Sequence, residues 1–437
     1  MHPGSVAPPS RAAWRRLRPD WWLRGNPSLV GKLRWLTVLG PGVVAAAAGN
    51  DAGGIATAAQ VGATSGYRLL WAFVLSGIGL IAVQEMCARM GATTGRGLAD
   101  LIRERFRVRW AVLAMVMLVV ANAGTTIAEL AGIAAAGELF GAPRALVVPL
   151  AALGLGVLIL RLPYRPAERV FLLLSSLLLT YVLAAVLAQP DWPAVVHSLL
   201  VPAPPANLGE AALLITIWGS QITPYMQFFV QSAVVDRGTT DQELSSVRVD
   251  AAVGAIASTF VALFIVIATA ATLHPVGQAV DDAAAAARAL EPVAGPAAAT
   301  LFGMGLLGAA LLAAGVVPLA TAYAVCEAFG WERGVSHSFQ DAPVFYGLFI
   351  ALLGGAAAAV MWPGLPLVRA MLASQLVAGL LLPPILAFIL LLANDRRLLG
   401  TRKNGRLANV IGGGTLALLS VLEVVLLVQA ITAPGEA

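Results

Sequence analysis

Long apolar stretches, separated by short polar and charged connections, repeat along almost the whole 437-residue chain. A helix needs about 20 predominantly apolar residues to cross the hydrocarbon core of a bilayer. The pattern predicts eleven such segments, at roughly 35–61, 68–90, 110–138, 145–161, 167–188, 208–235, 248–273, 297–326, 343–361, 367–394 and 407–433. The apolar runs are continuous rather than alternating, which excludes a transmembrane β-barrel. We therefore expect an all-α polytopic membrane protein.

The composition agrees with this segment pattern. Hydrophobic residues make up 59% of the chain and charged residues only 12%, whereas soluble domains carry about 25% charge. A soluble multidomain enzyme is thereby excluded. The two cysteines, Cys87 and Cys326, form no CxxC pair, and no HExxH, GxSxG or paired intramembrane aspartates occur. The sequence therefore predicts no disulfide framework, no resident cofactor and no enzymatic activity.

The basic residues predict the orientation in the membrane. Residues 1–33 are rich in Pro, Arg and Trp without the apolar core of a signal peptide, and they indicate a cytoplasmic tail before a transmembrane domain at 34–433. With the N-terminus inside, 24 of the 28 Lys and Arg residues fall on the cytoplasmic side and 4 fall outside. Cytoplasmic loops carry the excess of basic residues. We expect a multi-pass plasma-membrane protein with its N-terminus cytoplasmic and its C-terminus outside.

Two of the predicted segments contain sequences that an uninterrupted helix would avoid. The first is Gly49–Gly54, in segment one, and the second is Gly219–Tyr225, in segment six, which includes Pro224. Glycine costs a helix about 1 kcal/mol relative to alanine, and an interior proline about 3 kcal/mol. The interruptions lie at matching depths, so they predict two unwound helices and a five-plus-five inverted repeat over about 34–188 and 207–394. Segment eleven is then an addition outside the repeat.

Asp51 lies in the first interruption, at the depth of the bilayer centre. An intramembrane carboxylate is costly and marks an ion or substrate path by default. The candidate ligands around it are the Asp51 carboxylate, the carbonyl groups of Gly54 and Ser220, the Thr223 hydroxyl, and the side-chain amides of Gln227 and Gln375. These donors are all oxygens, which suit Mg²⁺, Mn²⁺ or Ca²⁺ better than zinc or copper. The same site could equally hold Na⁺ or a substrate ammonium group.

Several sequence motifs resemble those of the NRAMP family of divalent metal transporters. They follow one another in the order LGPGVVAAAAGNDAGGIATAAQVGATSGYRLLW, RMGATTGRGLADLIR, TTIAELAG, ALLAAG, SQ and NDRRLLG, over nearly the whole transmembrane region. The resemblance implies a LeuT-type fold of eleven or twelve helices. It also implies proton-coupled transport of Mn²⁺ and Fe²⁺.

The chain departs from the family pattern at the positions that the resemblance assigns to metal ligands. The family's Asp-Pro-Gly-Asn motif is Asp51-Ala52-Gly53-Gly54, which keeps the carboxylate and loses the amide. Its Met-Pro-His motif is Thr223-Pro224-Tyr225, which loses the thioether and the histidine. This altered pattern resembles the NRAMP-related magnesium transporters. The departures predict a roomier site with oxygen ligands only, able to hold a partly hydrated Mg²⁺.

The acidic residues of segment three bear on proton coupling. The family's first acid in this segment is replaced by Thr126, while Glu129 remains. Glu129 either lies near the ion path or is a structural, hydrogen-bonded carboxyl. Tyr225 replaces the family's histidine, and a phenol with a reference pKa near 10 carries protons poorly at neutral pH. We therefore expect Mg²⁺ and Mn²⁺ transport by alternating access without obligatory proton movement.

Two alternatives remain open from the sequence. One is a proton-coupled Mn²⁺/Fe²⁺ transporter that tolerates the altered motifs. The other is an amino-acid or amine symporter on the same fold, in which Asp51 would bind an ammonium group. The expected partners are divalent metal ions and the lipid bilayer, with no nucleic acid and no obligatory protein partner.

Overall fold

A computed structural model describes residues 49–161, 176–239, 243–291, 295–335 and 338–432. Within these ranges all regular structure is helical. The first nine helices are α1 (Ala52–Ser65), α2 (Leu70–Thr94), α3 (Leu98–Phe106), α4 (Val108–Leu139), α5 (Arg144–Arg161), α6 (Thr180–Leu187), α7 (Trp192–Leu200), α8 (Leu208–Gln221) and α9 (Pro224–Asp236). The remaining seven are α10 (Leu244–Thr272), α11 (Ala283–Arg288), α12 (Ala298–Phe329), α13 (Pro343–Val360), α14 (Leu367–Ala393), α15 (Arg396–Leu399) and α16 (Arg406–Thr432). The prediction of an all-α fold is confirmed.

The helix bounds follow the predicted segments closely. Seven of the described helices are long and apolar enough to cross a membrane, namely α2, α4, α10 with the short turn after it, α12 with the turn before it, α13, α14 and α16. α5 is a shorter apolar helix. Segment six is divided into α8 and α9, each of which is too short to cross alone. The predicted tail at 1–33, the first part of segment one and residues 167–175 of segment five lie outside the described residues.

A sharp bend lies just after the predicted segment five (167–188), between α6 and α7. The helical stretch Ser176–Leu187 and the following helix α7 together pass the test for a span, but they are bent by 119° relative to each other. Asp191 caps the start of α7 by accepting a hydrogen bond from the Ala194 amide at 3.2 Å. Because this cap fixes a new helix start, α7 does not continue the direction of α6.

Small residues permit close approach between the central helices. α4 packs along α12 and α14, and α1 packs against α10, α14 and α8. A Cβ atom at Gly132 would collide with the side chain of Ala52, so α4 approaches α1 closely beside the first interruption. Large apolar side chains point outward elsewhere, for example Leu153 of α5 and Val410 of α16, which are 68% and 71% exposed. An apolar periphery is what a membrane-spanning bundle requires.

Candidate functional site

The first predicted interruption lies at Asn50 and Asp51. These two residues are not helical, and α1 begins directly after them at Ala52. Asp51 caps α1: its backbone is extended, with φ −71° and ψ 176°, and its Oδ1 accepts a hydrogen bond from the Gly54 amide at 2.6 Å. The side chain is fully buried. A carboxylate at a helix N-terminus is stabilised by the amide groups that point towards it, which explains how Asp51 is held at this depth.

The structure corrects the role expected of Gly54. Gly54 is the third residue of α1, so its carbonyl group points along the helix as an acceptor for the following turn. It is therefore not released by the interruption. Gly54 instead contributes its amide to Asp51, and a Cβ atom here would lie 2.9 Å from the Gly49 carbonyl oxygen and 3.2 Å from Asp51 Oδ1. The sequence placed the interruption correctly but extended it too far towards the C-terminus.

Glu129 lies directly beside Asp51. Its Oε2 accepts a hydrogen bond from the Ala52 amide at 3.1 Å, and its carboxyl group is close enough to that of Asp51 for the two to interact. Glu129 is fully buried, and its Oε1 has no hydrogen-bond partner. Neither carboxyl group forms an ion pair with a basic side chain in the described ranges. Glu129 is thus a hydrogen-bonded carboxyl group and also lies beside Asp51, so the geometry agrees with both interpretations of this residue.

The second interruption separates α8 from α9 at Ile222 and Thr223, as predicted. Ser220 is the second-last residue of α8, and the residue four positions later is Pro224. Proline has no amide hydrogen, so the Ser220 carbonyl group cannot receive the usual helical hydrogen bond. The Ser220 hydroxyl is turned away and donates to the Ile217 carbonyl at 2.9 Å. Ser220 can therefore offer its carbonyl oxygen, and not its side chain, to a ligand.

Two polar side chains that follow the second interruption, Thr223 and Gln227, are buried without hydrogen-bond partners. Thr223 is the N-cap residue of α9, yet its hydroxyl makes no hydrogen bond. Neither side-chain polar atom of Gln227 has a partner either. Tyr225 is also fully buried, between these two positions. No hydrogen bond within the described chain joins any of these three side chains directly to Asp51.

Gln375 of α14 connects the two interruptions. Its Nε2 donates to Asp51 Oδ1 at 3.2 Å and to Oδ2 at 3.4 Å, while its Oε1 has no partner. Its backbone carbonyl lies against Gly219, where a Cβ atom would collide with it. A side chain at Gly53 would likewise displace the Gln375 amide. The predicted candidates Asp51, Gln375 and Glu129 therefore lie close together in the structure. The end of α8 is joined to them by the contact between Gly219 and the Gln375 backbone.

Sequence reasoning missed Met226. Its thioether packs against Gly49, and the Sδ atom is 3.5 Å from the place that a Cβ atom on Gly49 would occupy. The neighbouring Asn50 Oδ1 accepts a hydrogen bond from Ser258 of α10 at 3.2 Å. Met226 therefore provides a contact between α9 and the residues at the first interruption. Its position one helical turn after the second interruption is a sequence signal that could have identified it as a residue near the site.

A small cavity adjoins the site on the other side of Ala52. Apolar side chains line most of it, including Ile55, Phe302 and Met371, and Asp282 is its one charged lining residue. Asp282 caps α11, accepting a hydrogen bond from the Ala285 amide at 2.7 Å. Among the described residues, no group of three or more His, Cys, Asp or Glu side chains is placed to hold a metal ion. A cation at Asp51 would thus be held by few carboxylates and by several neutral oxygens.

A sequence profile of the family described as natural resistance-associated macrophage protein-like (Nramp) matches residues 42–429. The chain belongs to the NRAMP family. Similar NRAMP relatives include the divalent metal cation transporter MntH of Aeromonas hydrophila, 29% identical over 91% of this chain and 96% of the relative. MntH of Pectobacterium carotovorum is 31% identical over 90% of this chain and 94% of the relative. Family membership confirms the prediction of a membrane transporter that is not an enzyme.

Solved structures agree with the expected NRAMP architecture. A manganese transporter of Eremococcus coleocola superposes with a TM-score of 0.71 at 22% identity, covering 92% of this chain and 90% of that one. Mhp1, a nucleobase-cation-symport-1 family transporter, gives a TM-score of 0.54 at 14% identity, covering 85% and 81% of the two chains. At these identities the likeness concerns the fold. The prediction of a LeuT-type bundle is confirmed.

Proposed function

We propose that this chain transports divalent metal cations, Mg²⁺ and Mn²⁺, across the plasma membrane by alternating access. The observation that carries the proposal is the pair of fully buried carboxyl groups, Asp51 and Glu129, beside two helix interruptions and without a basic partner in the described chain. A buried carboxyl group without an opposite charge either takes up a proton or binds a cation. The names of the NRAMP relatives, divalent metal cation transporter and manganese transporter, support the same substrate class.

In the proposed site, the Asp51 carboxylate binds the cation directly or through water. On the side of the second interruption, the Ser220 carbonyl and the Thr223 hydroxyl complete the set of ligands. The carbonyl group lacks its helical hydrogen bond because Pro224 has no amide hydrogen, and the hydroxyl group has no hydrogen-bond partner. Gln375 offers its unpartnered Oε1 from α14. Gly54 acts through its amide, which orients Asp51. All the proposed ligands are oxygens, which favours hard cations such as Mg²⁺ and Mn²⁺.

For proton coupling, the residues support two readings. Transport without obligatory proton movement is supported by Tyr225 and Thr126, which stand where the family pattern has a histidine and an acid. A proton-coupled mechanism is favoured by one specific observation, the contact between the carboxyl groups of Glu129 and Asp51. Two adjacent carboxyl groups can share a proton, and an arriving cation would displace it. We propose the uncoupled mechanism and treat the coupled one as its direct competitor.

An amino-acid or amine symporter is the other competitor. The likeness to MhsT in complex with L-phenylalanine, at a TM-score of 0.51 and 16% identity, concerns the fold alone. An ammonium group would need acceptors for its three N–H bonds. Competition separates the two classes: excess Mg²⁺ should inhibit labelled Mn²⁺ uptake, and a mixture of amino acids should leave it unchanged.

The deciding experiment is reconstitution into liposomes with Mg²⁺, Mn²⁺ or Ca²⁺ gradients, with metal entry and internal pH recorded together. Entry of Mg²⁺ and Mn²⁺ that exceeds protein-free liposomes would support the proposal. Absence of divalent entry in protein that is folded, as judged by size exclusion and thermal unfolding, would contradict it. We further propose a cytoplasmic N-terminus, an outer C-terminus and action without an obligatory protein partner.

A further inference from the structure

One face of α9 carries a row of three buried polar side chains that leads away from the second interruption. Thr223, Gln227 and Gln231 are spaced by four residues, so they lie above one another along the helix. All three are fully buried. Gln231 lies about 12 Å along the helix axis from Thr223. The row therefore reaches from the proposed ion site well towards one membrane surface.

Each member of this row has a polar atom without a partner. These atoms are the Thr223 hydroxyl, both polar atoms of Gln227, and Gln231 Oε1. A buried polar group without a hydrogen bond costs free energy. Polar residues that serve to join membrane helices are hydrogen-bonded across them, which Gln227 is not. Three buried positions with unpartnered polar atoms in one row indicate a path along which a moving ligand contacts each of them briefly.

The row ends at a buried carboxylate. Gln231 Nε2 donates to the Arg96 carbonyl at 2.9 Å, and the next residue, Gly97, lies so close to Glu327 that a Cβ atom would collide with its carboxylate. Glu327 Oε1 accepts a hydrogen bond from Ser232 at 2.7 Å. Glu327 is 1% exposed, and its Oε2 has no partner. A carboxyl oxygen without a hydrogen-bond partner is therefore available at the end of the row.

Arg333 pairs with the same carboxyl oxygen that accepts the hydrogen bond from Ser232. Its Nε lies 3.4 Å from Glu327 Oε1, and its guanidinium group also contacts Asp100 Oδ2 at 3.4 Å. Arg333 can therefore release Glu327 and remain paired with Asp100. A cation that reaches Glu327 would compete with Arg333 for the carboxylate.

We propose that Thr223, Gln227, Gln231 and Glu327 form the route by which a hydrated divalent cation passes between the Asp51 site and the membrane surface that bears Arg333. The glutamine oxygens replace part of the water that is lost along the way, and Glu327 receives the ion in exchange for Arg333. This inference rests on the proposed function, because it assumes that Asp51 binds the ion.

The test separates binding from passage. Gln231→Leu and Glu327→Gln keep the approximate volume of the side chains, and both positions lie away from Asp51. In each purified variant, the Kd for Mn²⁺ by calorimetry should stay within about twofold of wild type, whereas the initial rate of Mn²⁺ uptake in liposomes should fall at least tenfold. The control is Thr269→Val, which removes a buried hydroxyl of α10 that is bonded within its own helix; it should leave both quantities unchanged.

Uptake at the wild-type rate in Gln231→Leu and Glu327→Gln would overturn the route. If wild type itself bound no Mn²⁺, the proposed function would fail instead, so the two failures are distinguishable. A second measurement applies if Gln231→Leu or Glu327→Gln does not fold. In it, Gln231→Cys should react with a small cationic thiol reagent added from the Arg333 side, and Mn²⁺ should slow this reaction. Val230→Cys, the buried neighbour outside the row, should not react. Equal reactivity of the two cysteines would also overturn the proposal.

Discussion

The side-chain amide of Gln375 donates hydrogen bonds to both carboxylate oxygens of Asp51, at 3.2 Å and 3.4 Å, although 324 residues separate them in the chain. The contact holds the carboxylate from the side of α14, opposite the Gly54 amide at 2.6 Å. Asp51 is thus fixed from two directions by groups that carry no charge. No basic side chain of the described chain forms an ion pair with it.

Asp51→Asn should nearly abolish divalent metal binding and uptake. The substitution keeps the shape of the side chain but removes the charge that offsets the desolvation of the cation. The measurement is Mn²⁺ binding by calorimetry together with uptake into liposomes. Glu138→Gln is the matched control, since Glu138 is an exposed carboxyl near the end of α4. Wild-type uptake by folded Asp51→Asn protein would remove this residue from the site.

Thr223→Met should shift selectivity from Mg²⁺ towards Cd²⁺. A thioether favours softer ions, and the unpartnered Thr223 hydroxyl marks a place where the new sulfur would lie. Adding Gly54→Asn should enhance the shift, but a Cβ at Gly54 would lie 2.9 Å from the Gly49 carbonyl, so this part of the chain must move slightly. We expect the ratio of the Mg²⁺ and Cd²⁺ dissociation constants to rise at least tenfold.

Met226→Leu provides the control for that selectivity experiment. Met226 is a thioether already near the first interruption, packed against Gly49. Our assignment makes it a packing residue, so its replacement should leave the Mg²⁺ to Cd²⁺ ratio unchanged. An unchanged ratio in Thr223→Met, or a loss of Cd²⁺ binding in Met226→Leu, would show that the sulfur position has been assigned to the wrong residue.

The sequence was sufficient for the all-α fold and for the positions of the two interruptions along the chain, because apolar length and helix-breaking residues are local signals. It could not determine which groups at an interruption face the site. Gly54 resembles an unwound residue in sequence, but Asp51 caps α1 so effectively that helix begins at Ala52. The interaction of Glu129 with Asp51 depends on the close approach of α4 at Gly132, which no local pattern contains.

Glu327 and Gln231 show a different limit. Glu327 lies one residue beyond the predicted segment 297–326, so the reasoning that selected Asp51 did not extend to it, although the structure buries it near the end of α12. Gln231 follows Gln227 by four residues, so helical spacing alone could have extended the row. Sequence reasoning concentrated on the interruptions and passed over both residues. Their proximity is shown by tertiary contacts, the hydrogen bond from Ser232 to Glu327 and the packing of Gly97 against Glu327.

Gly219→Ala should destabilise the protein and weaken metal binding. A Cβ atom here would collide with the Gln375 carbonyl and lie 2.5 Å from the Gly379 amide nitrogen, so α8 and α14 would have to separate. Overpacking of this kind costs about 1–3 kcal/mol. Gly355→Ala is the control, because nothing lies within 4 Å of its Cβ position. The midpoint temperature of thermal unfolding should be lower than wild type for Gly219→Ala and equal to or higher than wild type for Gly355→Ala. Equal stability of both variants would contradict the close packing at Gly219.

The proposed orientation can be tested by cysteine labelling in intact cells. The native Cys87 and Cys326 are both buried, so background labelling should be low. Ala206→Cys lies in an exposed stretch before α8, and Glu332→Cys lies in an exposed stretch after α12. A membrane-impermeant maleimide should label the cysteine at 206 and reach the one at 332 only after permeabilisation. The reverse pattern would invert the assigned orientation.

Metal influx should proceed without acidification of the liposome interior. If no proton accompanies a divalent cation, its entry moves two charges, and an inside-negative potential drives it by about 4.6 kcal/mol per 100 mV. Uptake of Mn²⁺ should therefore rise steeply with an imposed potassium diffusion potential, while an internal pH dye stays constant. Glu129→Gln should slow uptake by disturbing the Ala52 contact without changing this pH record. The proton-coupled alternative predicts acidification that tracks metal entry in wild type and disappears in Glu129→Gln but not in Glu138→Gln. That result would assign a shared proton to the Asp51 and Glu129 carboxyl groups and would contradict uncoupled transport.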